Sequence, residues 1–327
     1  MTGTVRRARV GFALFALVTV GGGWLFVALD RATGQLTGTG SAVSADGSTS
    51  GQGLWIVVPA LTALVLFLVS RDGAGPLGMT PRVPVRWFAF AALFFPVTAS
   101  VWVAVATVGG FATFTPGLPG SLATVLGFLV VKNVLEEFVF RGYGTRTAMA
   151  LGLRGVMPHV LVGVVWGLWH LPLYLVWMSP ADLRVATTLP LAWYVPLFLL
   201  GITALAVLYG ELRVRTGSIW PGVVLHTVSG ALTVSLMTGG HLRFAGHGGV
   251  VFGLDPASVA SMLVCGGTGL YLLRRRTGRS GRVSPAIWPC RPRRGQAVPG
   301  DEGDRQEAGQ QAAAARARRR WASSRRS

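Results

Sequence analysis

The chain is poor in what a water-soluble protein is made from. Charged residues are 13% of its 327 residues, about half the roughly 25% usual in a soluble chain. Between Arg86 and Lys132 there is no formal charge at all. Lysine occurs once, at Lys132, and cysteine twice, at Cys265 and Cys290. Two cysteines, one in an apolar run and one in a basic tail, exclude a disulfide framework. The scarcity of charge excludes an ordinary soluble domain. The 51% apolar content, with mean hydropathy +0.53, excludes a disordered chain. What is left is an all-α polytopic membrane helix bundle.

The net charge of +18 would suit a nucleic-acid binder, but its distribution does not. Residues 274–327 hold fifteen Arg against Asp301, Glu302, Asp304 and Glu307, so +11 of the excess lies in the tail. That segment is rich in Pro, Gly, Ala and Gln and reads as a disordered cytoplasmic tail beside anionic lipid. Nucleic acid is not expected as a partner; the lipid bilayer is.

Crossing a membrane takes roughly 20 apolar residues. Eight stretches qualify or nearly do, at about 10–29, 53–70, 87–108, 121–145, 156–178, 190–210, 218–239 and 256–273. The Gly/Ser/Thr-rich stretch 33–53 and Pro116-Gly-Leu-Pro-Gly120 carry turn chemistry between them. Arg6, Arg7 and Arg9 precede the first stretch, which is too long for a signal-peptide core and reads as a retained helix. Connections at 71–86, 146–154 and 213–215 are Arg-rich, and those between them are nearly free of basic residues. The alternation places both termini in the cytoplasm.

Ionisable side chains inside such stretches cost roughly 3 kcal/mol each and mark function by default. Here they cluster. The fourth stretch carries Lys132, Asn133, Glu136, Glu137 and Arg141; the fifth carries His170; the seventh carries His226. Adjacent helical residues point about 100° apart, so Glu136 and Glu137 face different tasks. Glu137 and Arg141, four apart with the acid first, form a self-neutralising pair. Glu136 is then free for chemistry, with Lys132 and Asn133 near its face. Trp166 and His170 share a face, and Pro172 beyond them kinks the helix. His226 shares its face with Gly222, Gly230 and Thr233, small residues that admit a neighbouring helix. At about 1.5 Å per residue, Glu136, His170 and His226 lie within roughly 9 Å of one another in depth. One Glu and two His so placed can surround a water molecule or a divalent metal such as zinc. His159, His241 and His247 read as surface residues.

The ordered elements Glu136-Glu137-x-x-x-Arg141, Trp166-x-x-x-His170 and His226-x-x-x-Gly230 resemble the CPBP family of intramembrane proteases. This is the CAAX-protease and bacteriocin-processing group, also called the Abi family. Trp166 stands where that family has Phe, and Gly230 where it has Asn. The resemblance covers about 120–235. It implies a multi-pass endopeptidase in which Glu136 activates water, His170 and His226 hold the water or stabilise the oxyanion, and Arg141 pairs with Glu137. Asn133 is a candidate to replace the amide missing at Gly230. Zinc on Glu136, His170 and His226 and a metal-free water are both compatible with the donor set.

The organisation expected is three helices over 1–115, a protease-like membrane domain over 116–273, and the tail over 274–327. The leading function is cleavage of a peptide or protein substrate at the cytoplasmic side of the cell membrane. The alternatives are an inactive family member serving as a membrane binding or immunity protein, and a proton or ion carrier. The carrier is disfavoured by the scarcity of ionisable groups in the outer halves of the spans.

Overall fold

The computed structural model describes residues 3–36, 49–69, 74–117 and 122–278, all within one unit, Met1–Trp288. The expected tail beyond residue 278, with Cys290, lies outside the described residues, as do Arg71 and the Leu118–Gly120 part of the turn segment.

The chain is a helix bundle. In order come α1 (Gly3–Ala32), α2 (Ser50–Val69), α3 (Val85–Val108) and a short strand β1 (Ala112–Phe114). Next, α4 (Leu122–Glu137) widens into a π-helical segment, Phe138–Thr145, before α5 (Arg146–Ala150). α6 (Met157–Pro172) widens likewise over Leu173–Trp177, followed by α7 (Pro180–Ala186) and α8 (Leu191–Thr216). α9 (Trp220–Thr233) widens over Val234–Thr238; then come β2 (Leu242–Phe244), α10 (Gly248–Phe252) and α11 (Val259–Thr277). β1 and β2 pair antiparallel, Thr113 opposite Arg243, and tie two loops together at one end.

Every apolar stretch read from the sequence is a helix. Six of them are long and apolar enough to cross a membrane, which makes this a multi-pass membrane protein. The fourth and eighth expected spans fall outside that set. α4 is a 16-residue α-helix carrying Lys132, Glu136 and Glu137, and α11 ends in Arg274, Arg275 and Arg276. The kink expected at Pro172 takes the form of the π-helical turn that starts just after it, a common way to bend a helix.

α8 is the axis of the bundle, packed by α6, α9 and α11. From Leu205 to Val214 every residue is buried, so this half of the helix is surrounded on all sides. Lipid offers no hydrophobic drive for helices to associate, so close packing must supply it. Gly163 on α6 allows such contact: a Cβ there would stand 2.8 Å from the Thr203 Cα on α8. α1 and α2 pack on each other and against α6 and the π-helical segment after α4. There Trp55 and Trp169 stack at 4.1 Å, and each indole N–H donates to the other's backbone carbonyl, at 2.9 and 3.3 Å. α3 lies against α9 and buries only Ala91, Ala99 and Ala106.

Two polar arrangements brace the ends. Buried Asp30, at the end of α1, accepts from Trp177 Nε1 at 2.9 Å, Thr49 Oγ1 at 2.7 Å and Gly51 N at 2.8 Å. At the basic end, residues 75–80 form a strap whose carbonyls are taken by other elements. Arg146 Nε donates to Gly75 O at 2.5 Å, Arg213 Nη2 to Pro76 O at 2.9 Å and Ile219 N to Gly78 O at 2.9 Å. Trp220 Nε1 donates to Met79 O at 2.9 Å and Ser218 Oγ to Thr80 O at 2.6 Å. Arg213, read from sequence as part of a loop, is thus buried within α8.

His159, read as a surface residue, is fully buried. Its Nε2 lies 2.9 Å from Glu211 Oε1, and Arg276 donates to both oxygens of the same carboxylate. Gly210 on α8 leaves room for the imidazole, since a Cβ there would meet Nδ1 at 2.1 Å.

Asp255 lies in the loop before α11, where its Oδ1 accepts from Ala257 N at 2.7 Å. Burial pushes its carboxyl from the usual 3.8 up to about 7. The fold therefore favours the protonated acid. Its contribution to stability is complete below the unfolded value of about 3.9 and is lost as pH rises through the folded one. The melting temperature of the purified protein should fall between about pH 4 and pH 7 and level off above that. Asp255→Asn, which keeps the Oδ1 acceptor, should flatten that fall.

Candidate active site

Where α4 gives way to the π-helical segment, Glu136 and Glu137 point to different neighbours. Such wide turns recur at functional sites. Both carboxylates are buried, and a carboxylate in an apolar interior has to find donors or a countercharge. Lys132, one turn before Glu136 on α4, bonds to Glu136 Oε1. Trp166 Nε1 on α6 donates to Glu136 Oε2 at 3.1 Å. His226 Nε2 on α9 stands 4.0 Å from that same oxygen. Three helices therefore converge on one carboxylate.

Glu137 turns towards α9. Its Oε1 accepts from His226 Nδ1 at 3.1 Å, which leaves Nε2 as the lone-pair nitrogen facing Glu136. Gly222 makes this approach possible: a Cβ there would lie 2.6 Å from Glu137 Oε2. The carboxylate thus rests on the first turn of α9, where the helix dipole favours negative charge. Arg141 Nε is 3.6 Å from Glu137 Oε2, so the pair expected from spacing is in place as an ion pair without a hydrogen bond. The guanidinium lies over two aromatic rings, 3.9 Å from the Trp166 centroid and 4.8 Å from that of Tyr209.

His170 Nδ1 donates to the Trp166 carbonyl at 2.9 Å, again leaving Nε2 with the lone pair. Its ring lies edge-on to Trp166 at 5.9 Å and Trp169 at 4.7 Å. Of the residues singled out from sequence, the structure gathers Glu136, Glu137, Arg141, Trp166 and His226 in direct contact, with His170 beside them. Asn133 is turned elsewhere: its amide donates to Thr227 Oγ1 at 3.3 Å, on α9. Position 230 faces α4, where a Cβ would meet Leu129 Cδ1 at 3.3 Å.

Tyr209, from the buried run of α8, was missed by the sequence reading. Its ring packs on Trp166 at 5.8 Å and His226 at 5.7 Å and underlies Arg141. A tyrosine in an apolar run carries no charge signal to single it out. Among the described residues, no three His, Cys, Asp or Glu side chains are gathered to hold a metal ion. Lys132 holds Glu136 Oε1, so Glu136 Oε2 and His226 Nε2, 4.0 Å apart, are the pair left facing each other for a water molecule or a metal ion.

Residues 118–232 match the family model described as type II CAAX prenyl endopeptidase, Rce1-like. The matched segment spans every candidate residue from Lys132 to His226. It places the resemblance read from the motifs in the CPBP and CAAX-protease family and supports a peptidase acting on peptide or protein substrates. No curated protein matches the chain.

Removing one member of a buried ion pair strands the other, at a cost of about 3–5 kcal/mol. Glu137→Ala should lose about that much stability by leaving Arg141 without its acid, measured by unfolding in detergent. Gly222→Ala should move the Glu137 carboxylate off α9 and release His226 Nδ1, read as a change in the His226 imidazole NMR resonances.

Proposed function

From a segment that carries the CAAX-endopeptidase family pattern, we propose that this chain is an intramembrane endopeptidase of the cell membrane, hydrolysing a peptide bond near the cytoplasmic face. The observation that carries the reading is the approach of Glu136 Oε2 and His226 Nε2 to 4.0 Å from separate helices. Both are acceptors, so a water molecule beside them can donate one hydrogen to each.

Glu136 acts as general base and takes a proton from that water as its oxygen attacks the scissile carbonyl carbon. The new C–O bond forms as the carbonyl becomes an oxyanion. The C–N bond then breaks, and Glu136 returns the proton to the departing amine. His226 holds the water, oriented through Nδ1 by Glu137 as a triad base is oriented by its carboxylate. His170 presents only Nε2, which holds the water or, when protonated, the oxyanion. Lys132 keeps Glu136 charged between turnovers. α1–α3 serve as a collar around the machinery of 116–273.

A second reading, binding without cleavage, is favoured by one observation: position 230 faces Leu129 and brings no polar group to the water.

The test is cleavage of a peptide library by purified protein. Glu136→Gln should abolish cleavage, and His170→Ala and His226→Ala should each lower it at least about a hundredfold, the scale of one acid–base or oxyanion group. Membrane expression should be unchanged. EDTA should leave the rate intact. Full activity in Glu136→Gln would refute the catalytic reading and leave the binding one.

A further inference from the structure

The chain departs from the family pattern at two positions. At 230, glycine stands where the pattern has an amide. At 166, tryptophan stands where the pattern has phenylalanine, and the indole N–H donates to Glu136 Oε2 at 3.1 Å. Phenylalanine has no such donor. The nearby amide of Asn133 is spent on Thr227, and Lys132 holds the other oxygen. Among the described residues, hydrogen bonds onto Glu136 come from Lys132 and Trp166.

The indole is itself fixed. Arg141 stacks on its face at 3.9 Å, and His226 and His170 meet it edge-on at 5.5 and 5.9 Å. The Trp166 carbonyl also sets which nitrogen His170 presents. One residue therefore touches the acid, both histidines and the arginine. A hydrogen bond from a rigid ring to one oxygen limits rotation of the carboxyl group, and such orientation contributes to rate rather than to substrate binding.

We infer that Trp166 is a positioning residue, whose indole N–H holds Glu136 Oε2 towards His226 Nε2. The inference deepens the endopeptidase reading and rests on Glu136 being the base. It makes an apparently conservative change, from tryptophan to the family's own phenylalanine, a damaging one in this chain.

The experiment compares wild type, Trp166→Phe and a variant with β-(3-benzothienyl)alanine at 166, which keeps the bicyclic shape and replaces N–H by sulfur. Both variants should lose kcat by roughly tenfold to a hundredfold, the size of a hydrogen bond to a charged group, with KM changed less than about twofold. In 1H–15N spectra the Trp166 indole resonance, identified by its loss in Trp166→Phe, should move in Glu136→Gln. Wild-type kcat in the benzothienyl variant, with Glu136→Gln inactive, overturns the inference and leaves the endopeptidase intact. A loss in Trp166→Phe alone assigns the ring a packing role and also overturns it. Full activity in Glu136→Gln overturns the reading beneath it.

Discussion

Two adjacent carboxylates inside an apolar bundle impose the constraint that organises this protein. Neither Glu136 nor Glu137 can remain charged in that setting without donors or cations beside it. The chain supplies them from three directions: Lys132 and Arg141 along the same helix, Trp166 from α6, and His226 from α9. Satisfying the acids thereby draws the helices together, and the site and the packing are one arrangement. The division of labour follows from what each acid faces. Glu137 lies between a guanidinium and an imidazole and braces the structure. Glu136 keeps one oxygen aimed at a nitrogen that it does not touch.

The helix path around the acids is irregular in a consistent way. α4, α6 and α9 each widen into a π-helical segment immediately after the part that carries polar residues. A wide turn changes the angular offset between residues before and after it. In α4 the change falls between Glu137 and Arg141, which turns the guanidinium onto Trp166 and Tyr209 rather than straight along the helix to the acid. Aromatic faces take over part of the electrostatic work that a direct hydrogen bond would otherwise do.

Much of this was legible in the sequence because a bilayer is a demanding solvent. It requires long apolar runs, so helix positions could be read closely; the stretch read as 156–178 is helical over Met157–Trp177. It penalises charge, so Glu136, His170 and His226 stood out against their surroundings. What escaped was pairing across long separations. His159 looked peripheral because its partner Glu211 is 52 residues away. Asn133 looked available to Glu136 by helical phase, but a threonine on α9 claimed it. The indole N–H of Trp166 was hidden by treating the residue as a large aromatic, and Tyr209 by its apolar neighbours. The capture of the 75–80 carbonyls has no side-chain signature at all.

That last feature has a consequence for how the chain can vary. Where carbonyls rather than side chains are grasped, residue identity matters less than spacing, which is rigidly set. A single deletion would put every oxygen out of step with Arg146, Arg213, Ser218 and Trp220 at once. Leu77, whose side chain is buried, and Gly75 and Gly78, with positive φ of 81° and 79°, are held by type as well. The segment works as a ruler along the ends of α5, α8 and α9, freer to drift in composition than in length.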